Sequence, residues 1–243
     1  MRIDYPAEDQ LPRLRALWQE AFADEERYID AFFDTAFSWD RCLCAGDDGQ
    51  PAAALYWMDC RHEGRPLAYL YAVATFRAFR GKGYCRALMS AAAERLKNLG
   101  YEGLLLVPGD SNLGRMYEKM GFRFCTGVRE FTCRRGAAPA TVRKLDMAEY
   151  AELRRGYLPE GGVLQEGDSL RFLSAIAGLY AGEDFLYAEN LELLGNADSA
   201  PGILAALKQE KGTFRTPGDD RPFAMYRPLG NAPAPKYFGL AFD

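Results

Sequence analysis

The stretch Phe79-Arg80-Gly81-Lys82-Gly83-Tyr84-Cys85-Arg86-Ala87-Leu88 (FRGKGYCRAL) places two glycines and three cations where an apolar run ends and a helical pattern begins. Upstream, Leu67 to Thr75 is an apolar run of strand length. Downstream, Leu88, Ala92, Leu96 and Leu99 form one helical stripe, Arg86, Glu94, Arg95 and Lys97 lie elsewhere, and Gly100 is placed to stop the helix, which starts near Gly83 or Tyr84. A strand feeding a glycine-rich turn that opens a helix is a ready anion site, because the first-turn amides lack intrahelical acceptors and the helix dipole adds positive potential. Gly81 and Gly83 allow close backbone approach, and Arg80, Lys82 and Arg86 add charge suited to a pyrophosphate. By itself such a G-x-G reads as well as a loop with solvated cations, and it has neither the P-loop spacing nor that of a dinucleotide fold.

Working outward, Leu14, Leu17, Trp18 and Phe22, then Tyr28, Ile29, Phe32 and Phe33, recur at spacings of three and four, which predicts two amphipathic helices between Asp9 and Phe37. Cys42 to Cys44 and Ala52 to Asp59 flank Gly46-Asp47-Asp48-Gly49 and read as a hairpin, with Leu67 to Thr75 as its third strand. Leu104 to Val107 reads as a buried strand, Asn112 to Met120 as a short helix ended by Gly121, and Phe122 to Cys133 as two extended pieces. The small, basic, proline-containing segment Arg134 to Ala140 suits a linker. Beyond it, helices are expected over Asp146 to Tyr157, Ser169 to Tyr180 and Ala200 to Lys211. Strands are expected at Phe185 to Glu189, Leu191 to Leu194, near Thr213, and at Phe223 to Arg227 and Tyr237 to Phe242. The element order predicts an α+β fold over residues 1–133, a linker at 134–140 and a smaller α+β domain over 141–243, whose strand–turn–strand–helix–strand order echoes part of the first without a repeated residue pattern.

Composition narrows the function. With 243 residues, 49% of them hydrophobic, the chain can bury a full core. Its net charge of −4 argues against broad nucleic-acid binding. Six cysteines without paired C-x-x-C elements and a single histidine, His62 in the polar stretch RHEGR, leave no plausible metal-ligand set, so the cysteines read as reduced thiols. His62 reads as a loop residue. The N-terminal residues lack an apolar signal region and the longest apolar run is about half the ~20 residues a membrane helix needs, which points to a cytoplasmic protein with no membrane partner.

A second signature, Asn112-Leu113-Gly114-Arg115-Met116-Tyr117-Glu118-Lys119-Met120-Gly121-Phe122, follows the glycine turn. Together the two resemble the GNAT superfamily of acyl-CoA N-acyltransferases, over roughly residues 5 to 133. The turn is similar to the family's Gln/Arg-x-x-Gly-x-Gly/Ala loop through Arg80 and Gly83, with Cys85 where Gly or Ala is usual. The second stretch is similar to its N-x-x-A-x-x-x-Y-x-x-x-G-F region, with an asparagine-to-tyrosine interval of five. The resemblance implies a GNAT-type mixed, mostly antiparallel sheet flanked by helices, and acetyl-CoA as co-substrate. It implies that the backbone and cations of Arg80, Gly81, Lys82, Gly83, Tyr84, Cys85 and Arg86 bind the pyrophosphate. It also implies that Val73, Ala74 and Thr75 line the acyl and pantetheine arm through their backbone, that Asn112 lies near the pantetheine, and that Tyr117 is the general acid for the departing thiolate.

Amide formation from a thioester needs a neutral amine, a stabilised oxyanion and a proton for the thiolate. The residues do not single out the base: Tyr69 and Tyr71, at i and i+2 on one strand face, the carboxylates of Asp243 and the chain end, or water are all open, and the two tyrosines read equally as packing aromatics. Glu118, beside Tyr117, reads as solvated surface. The expected activity is acetyl transfer to a primary amine of a small molecule or peptide, and the other class is an acyl-CoA-binding regulatory module with little turnover. The C-terminal unit, which has no second glycine-rich cationic turn, is expected to serve as a lid or to shape the acceptor site, and the apolar end Lys236 to Asp243 to be a packed strand.

Overall fold

Helix and strand periods set the local structure and the burial of both faces sets the layers. The computed structural model describes residues 1–47 and 49–242, so Asp48 of the expected turn and Asp243 lie outside the described residues. Strands Cys42–Asp47, Gln50–His62 and Arg65–Thr75 form the expected antiparallel meander, and Gly103–Leu106 runs parallel to Arg65–Thr75. Strand Gln50–His62 is buried along nearly its whole length because helices cover both faces of the sheet. On one face, helices Leu11–Phe22 and Glu26–Thr35 bury Leu14, Trp18, Ile29 and Phe32. On the other, helix Tyr84–Asn98 buries Leu88, Ala92 and Leu96. That helix ends as its sequence predicts: Gly100 takes φ +90°, its N–H donates to Lys97 O, and Tyr101 N–H donates to Leu96 O, both at 3.0 Å.

The architecture is α+β, with a mostly antiparallel sheet between helices. Its strand order, however, includes an element from the far end of the chain. Strand Met225–Pro228 lies antiparallel between Gly103–Leu106 and Arg123–Phe124. The segment between them carries two smaller sheets: one joins Gly127–Arg134 with Lys211–Pro217 and Arg221–Pro222, the other holds four short strands between Arg143 and Gly195. Sheets and core therefore cross the expected linker, and Gly136 N–H donates to Pro201 O and Ala140 N–H to Gly202 O. One cluster contains Trp18, Phe32 and Tyr71 together with Leu170, Phe172 and Phe238. An edge strand, Arg2–Asp4, too short for a sequence pattern, pairs with Cys44–Gly46.

Three boundaries differ from expectation. The helix expected through Tyr180 stops at Ile176, and Leu179–Ala181 pairs with Phe185–Ala188; between them a side-chain carbon at Gly178 would come within 2.6 Å of the Glu189 and Tyr180 side-chain ends. The helix expected to Lys211 ends at Ala206, and Lys208 takes φ +58° ahead of strand Lys211–Pro217. The tail is buried but is not a strand: Tyr237, Phe238, Leu240 and Phe242 are at most 3% exposed, yet their backbone is satisfied by loops and side chains. Val163 N–H donates to Tyr237 O at 2.9 Å, Gln165 Nε2 to Leu240 O at 2.7 Å, and an Arg215 guanidinium nitrogen to Gly239 O and Ala241 O. Among the described residues no helix is long and apolar enough to cross a membrane.

Candidate active site

The parallel ladder between Arg65–Thr75 and Gly103–Leu106 ends at the pair Tyr69 and Leu105. Just past it Ala72 has φ +47°, and the register across to strand Gln50–His62 skips, Tyr71 facing Tyr56 and Ala74 facing Ala54. Two residues, Ala72 and Val73, thus stand against Leu55 alone. Such a bulge bends a strand, and a non-glycine residue in the left-handed region costs about 1–2 kcal/mol, strain of the kind that collects at functional sites. The consequence is a cleft where the two strands part.

A cavity of about 360 Å³ occupies it. Tyr69, Tyr71 and Val73 line one wall, Leu106 and Val107 the other, and Leu113 and Tyr117 of helix Ser111–Glu118 close the end. Tyr69 and Tyr71 share a face as their spacing predicts, with ring centroids 5.8 Å apart. Of the three residues expected along the acyl arm, Val73 lines the cavity. Ala74 is buried and paired with Ala54, and the Thr75 carbonyl accepts from Arg80 Nε at 3.1 Å.

That last bond ties the cleft to the glycine turn. Gly81 and Gly83 take φ +75° and +85°, and a side-chain carbon built on either would meet nothing within 4 Å. Helix Tyr84–Asn98 starts at Gly83 with no side-chain cap, so its first amides lack a capping partner among the described residues. Lys82 Nζ lies 5.2 Å over the Phe79 ring, and Arg86 is exposed. Tyr84 turns inward, its hydroxyl donating to Asp47, so only its backbone is available to the turn. Cys85 is half-buried, burial pushes its thiol up, and it acts electrostatically on Tyr117.

Tyr117 is 6% exposed, and its hydroxyl hydrogen-bonds to none of the described residues. Burial, and then the neighbouring Cys85, raises its pKa above the usual phenol range, so it holds its proton at neutral pH. Asp110 caps its helix, accepting from Leu113 N at 2.8 Å. Asn112, two residues beyond Asp110, is exposed and bonded to Arg115, and does not line the cavity. Glu118 is exposed.

Other lining residues gave no signal in the sequence. Trp18 read as helix core; Asp24 sat in the acidic run Asp24-Glu25-Glu26 between two helices; Tyr28 belonged to an amphipathic stripe. In the structure Trp18 Nε1 donates to Asp24 Oδ2 at 2.7 Å, the Tyr28 and Tyr71 hydroxyls are 2.8 Å apart, and Tyr28 also donates to Phe242 O at 3.3 Å. All five of these residues line the cavity. Burial, then the fields of Tyr28 and Tyr69, raises Tyr71 well above the usual phenol range, so it stays a neutral phenol, unsuited to act as a phenolate base. Asp243 lies outside the described residues. His62 is no loop residue: it ends strand Gln50–His62, is 2% exposed, and is absent from the cavity wall because the strand carries it to the opposite end of the sheet.

Residues 8–122, which hold the cleft, turn and Tyr117, match the family model described as the acetyltransferase (GNAT) family. A mycothiol acetyltransferase from Propionibacterium freudenreichii subsp. shermanii is 29% identical over 137 residues, which is 50% of this chain and 43% of that protein. The chain thus spans less than half the length of this curated relative. Among solved structures, a GCN5-related N-acetyltransferase from Anabaena variabilis superposes with a TM-score of 0.71 at 12% identity, and another from Kribbella flavida with 0.69 at 18%. Each match covers 94% of this chain and 72% of the other, so the likeness in fold extends into the C-terminal half. The match to the GNAT family thus lies in the segment 8–122.

Proposed function

We propose that the protein is an N-acetyltransferase that moves an acetyl group from acetyl-CoA to a primary amine of a small molecule or peptide. The observation that carries this reading is the continuity of cleft and turn: one strand supplies the bulge, the cavity wall and, through Arg80 on Thr75 O, the glycine turn that opens an uncapped helix. The turn fits a pyrophosphate, because the space over Gly81 and Gly83 is empty of protein and faces amides that need acceptors.

Acetyl-CoA, when bound, supplies a thioester carbonyl as electrophile. The turn amides with Arg80, Lys82 and Arg86 hold its phosphates, and the open backbone edge of the strand near Val73 orients the acyl arm and offers a donor to the carbonyl oxygen. Tyr117, protonated at neutral pH, gives its proton to the sulfur as the C–S bond breaks and the N–C bond forms. The acceptor, entering as an ammonium, gives up two protons over the cycle, one restoring Tyr117 and one passing to solvent for each amide and free thiol made. Asn112, on the exposed face of its helix, would serve the far end of the pantetheine arm. The unit 141–243 shapes the acceptor side, a role supported by Phe242 in the cavity wall and by Phe238 packed 4.9 Å from Tyr69. We place the protein in the cytoplasm, where its six unpaired thiols would stay reduced.

Release of free thiol from acetyl-CoA across a panel of amines tests this. Amine-dependent release, falling about 10²-fold or more in Tyr117→Phe with acetyl-CoA affinity retained, is the expected result for a general acid. Tight acetyl-CoA binding with no release for any amine would favour the regulatory module instead, and activity of Tyr117→Phe within about threefold of the parent would make Tyr117 a packing residue.

A further inference from the structure

Among the described residues, the cavity wall carries one charged side chain, Asp24. It sits in the short connection between helices Leu11–Phe22 and Glu26–Thr35, which is why its carboxylate reaches the rim of the cleft rather than either helix surface. Its orientation is fixed. Trp18, 2% exposed, donates Nε1 to Oδ2, and Oδ1 has no hydrogen-bond partner among the described residues. The Trp18 and Tyr71 rings lie 5.6 Å apart, and the Asp24 charge reaches the Tyr71 phenol. Around this carboxylate the wall is aromatic, with rings from Phe22, Tyr28, Tyr69 and Phe242, and its size is in the range of small-molecule sites. No lysine or arginine faces the cavity among the described residues.

Resting on the acetyltransferase reading, we infer that Asp24, held by Trp18, binds the acceptor's ammonium group, and that the acceptor is a monocationic primary amine on an apolar or aromatic body without a carboxylate next to the amine. The ammonium would meet the free oxygen of Asp24 and the faces of the aromatic wall, which attract cations. A carboxylate beside the amine, as in an α-amino acid, would have to sit against Asp24 with no counter-cation, an arrangement that costs binding. Trp18 is a positioning residue and Asp24 a binding one.

Phenethylamine and phenylalanine, which share one body and differ in that carboxylate, are the probes. Binding is followed by tryptophan fluorescence without acetyl-CoA, and acetylation by thiol release with it. Phenethylamine should bind and be acetylated with a kcat/KM about tenfold or more above that of phenylalanine, and Asp24→Asn should weaken its binding about tenfold or more, the scale of a charge-assisted hydrogen bond. Acetyl-CoA affinity, measured by calorimetry, should not change in Asp24→Asn. Equal use of the two probes by the parent protein overturns the inference without any variant, and so does unchanged phenethylamine binding in a folded Asp24→Asn. If phenethylamine binds in an Asp24-dependent way but acetyl-CoA does not bind, the ammonium site stands and the acetyltransferase reading falls.

Discussion

Gly83→Ala separates a backbone requirement from a ligand requirement, because the structure supplies its own control. Gly83 has φ +85° and Gly64, in the turn after His62, has φ +76°; a side-chain carbon at either meets nothing within 4 Å. Both substitutions therefore carry the same left-handed penalty, about 1–2 kcal/mol, and no clash. At about 2–4 °C per kcal/mol for a chain of this size, each should lower Tm by roughly 2–8 °C. The difference lies in what each methyl group faces. At Gly64 it enters solvent beyond a hairpin; at Gly83 it enters the space over the uncapped amides of helix Tyr84–Asn98. Displacing one phosphate oxygen forfeits one charge-assisted hydrogen bond, about 1.5–3 kcal/mol, or roughly a 10- to 150-fold rise in Kd. Calorimetric titration with acetyl-CoA and a thermal melt of both variants measure the two effects. Equal acetyl-CoA affinity in Gly83→Ala and Gly64→Ala would refute the assignment of the turn to the pyrophosphate.

Calorimetry should also find one acetyl-CoA per chain, and two equivalent sites would contradict the division of labour between the halves. Buried Arg154 donates to both oxygens of buried Glu192, at 2.7 and 3.0 Å, and the Tyr237 hydroxyl donates to Glu192 at 3.0 Å. Glu192→Gln leaves the guanidinium uncompensated and should cost about 3–5 kcal/mol, seen as a lower urea midpoint. Because Tyr237 anchors the tail that carries Phe242 to the cavity, the acceptor KM should rise while acetyl-CoA affinity holds. Burial raises the phenols of Tyr56, Tyr71, Tyr117, Tyr150 and Tyr237 above the ordinary value of 10.0. Above that pH the unfolded chain releases these protons and the folded chain keeps them, so the unfolded state binds fewer and stability falls as pH rises through 10 and beyond. Urea midpoints that stay level between about pH 9 and 11 would contradict the burial of these groups.

The local pattern alone specified the meander, the helix after the glycine turn with its Gly100 stop, and the left-handed demand at Gly81 and Gly83. Those features depend on residues within a few positions of one another, where periodicity and glycine placement act directly. The pairing of Tyr69 with Tyr71 on one face followed from the two-residue strand period for the same reason. Tertiary structure decided the rest. Strand Met225–Pro228 has no local feature that names Gly103–Leu106 and Arg123–Phe124 as its neighbours, because strand partners are chosen by the edges left open once the chain collapses. Nothing in the sequence singled out Asp24, which Trp18 Nε1 fixes at the cleft, and the apolar tail looked like a strand until Gln165 and Arg215 took its carbonyls. Sequence determined what each segment could form; which long-range polar partner satisfied it, and so which side chains met in one cavity, depended on contacts that no local pattern encodes.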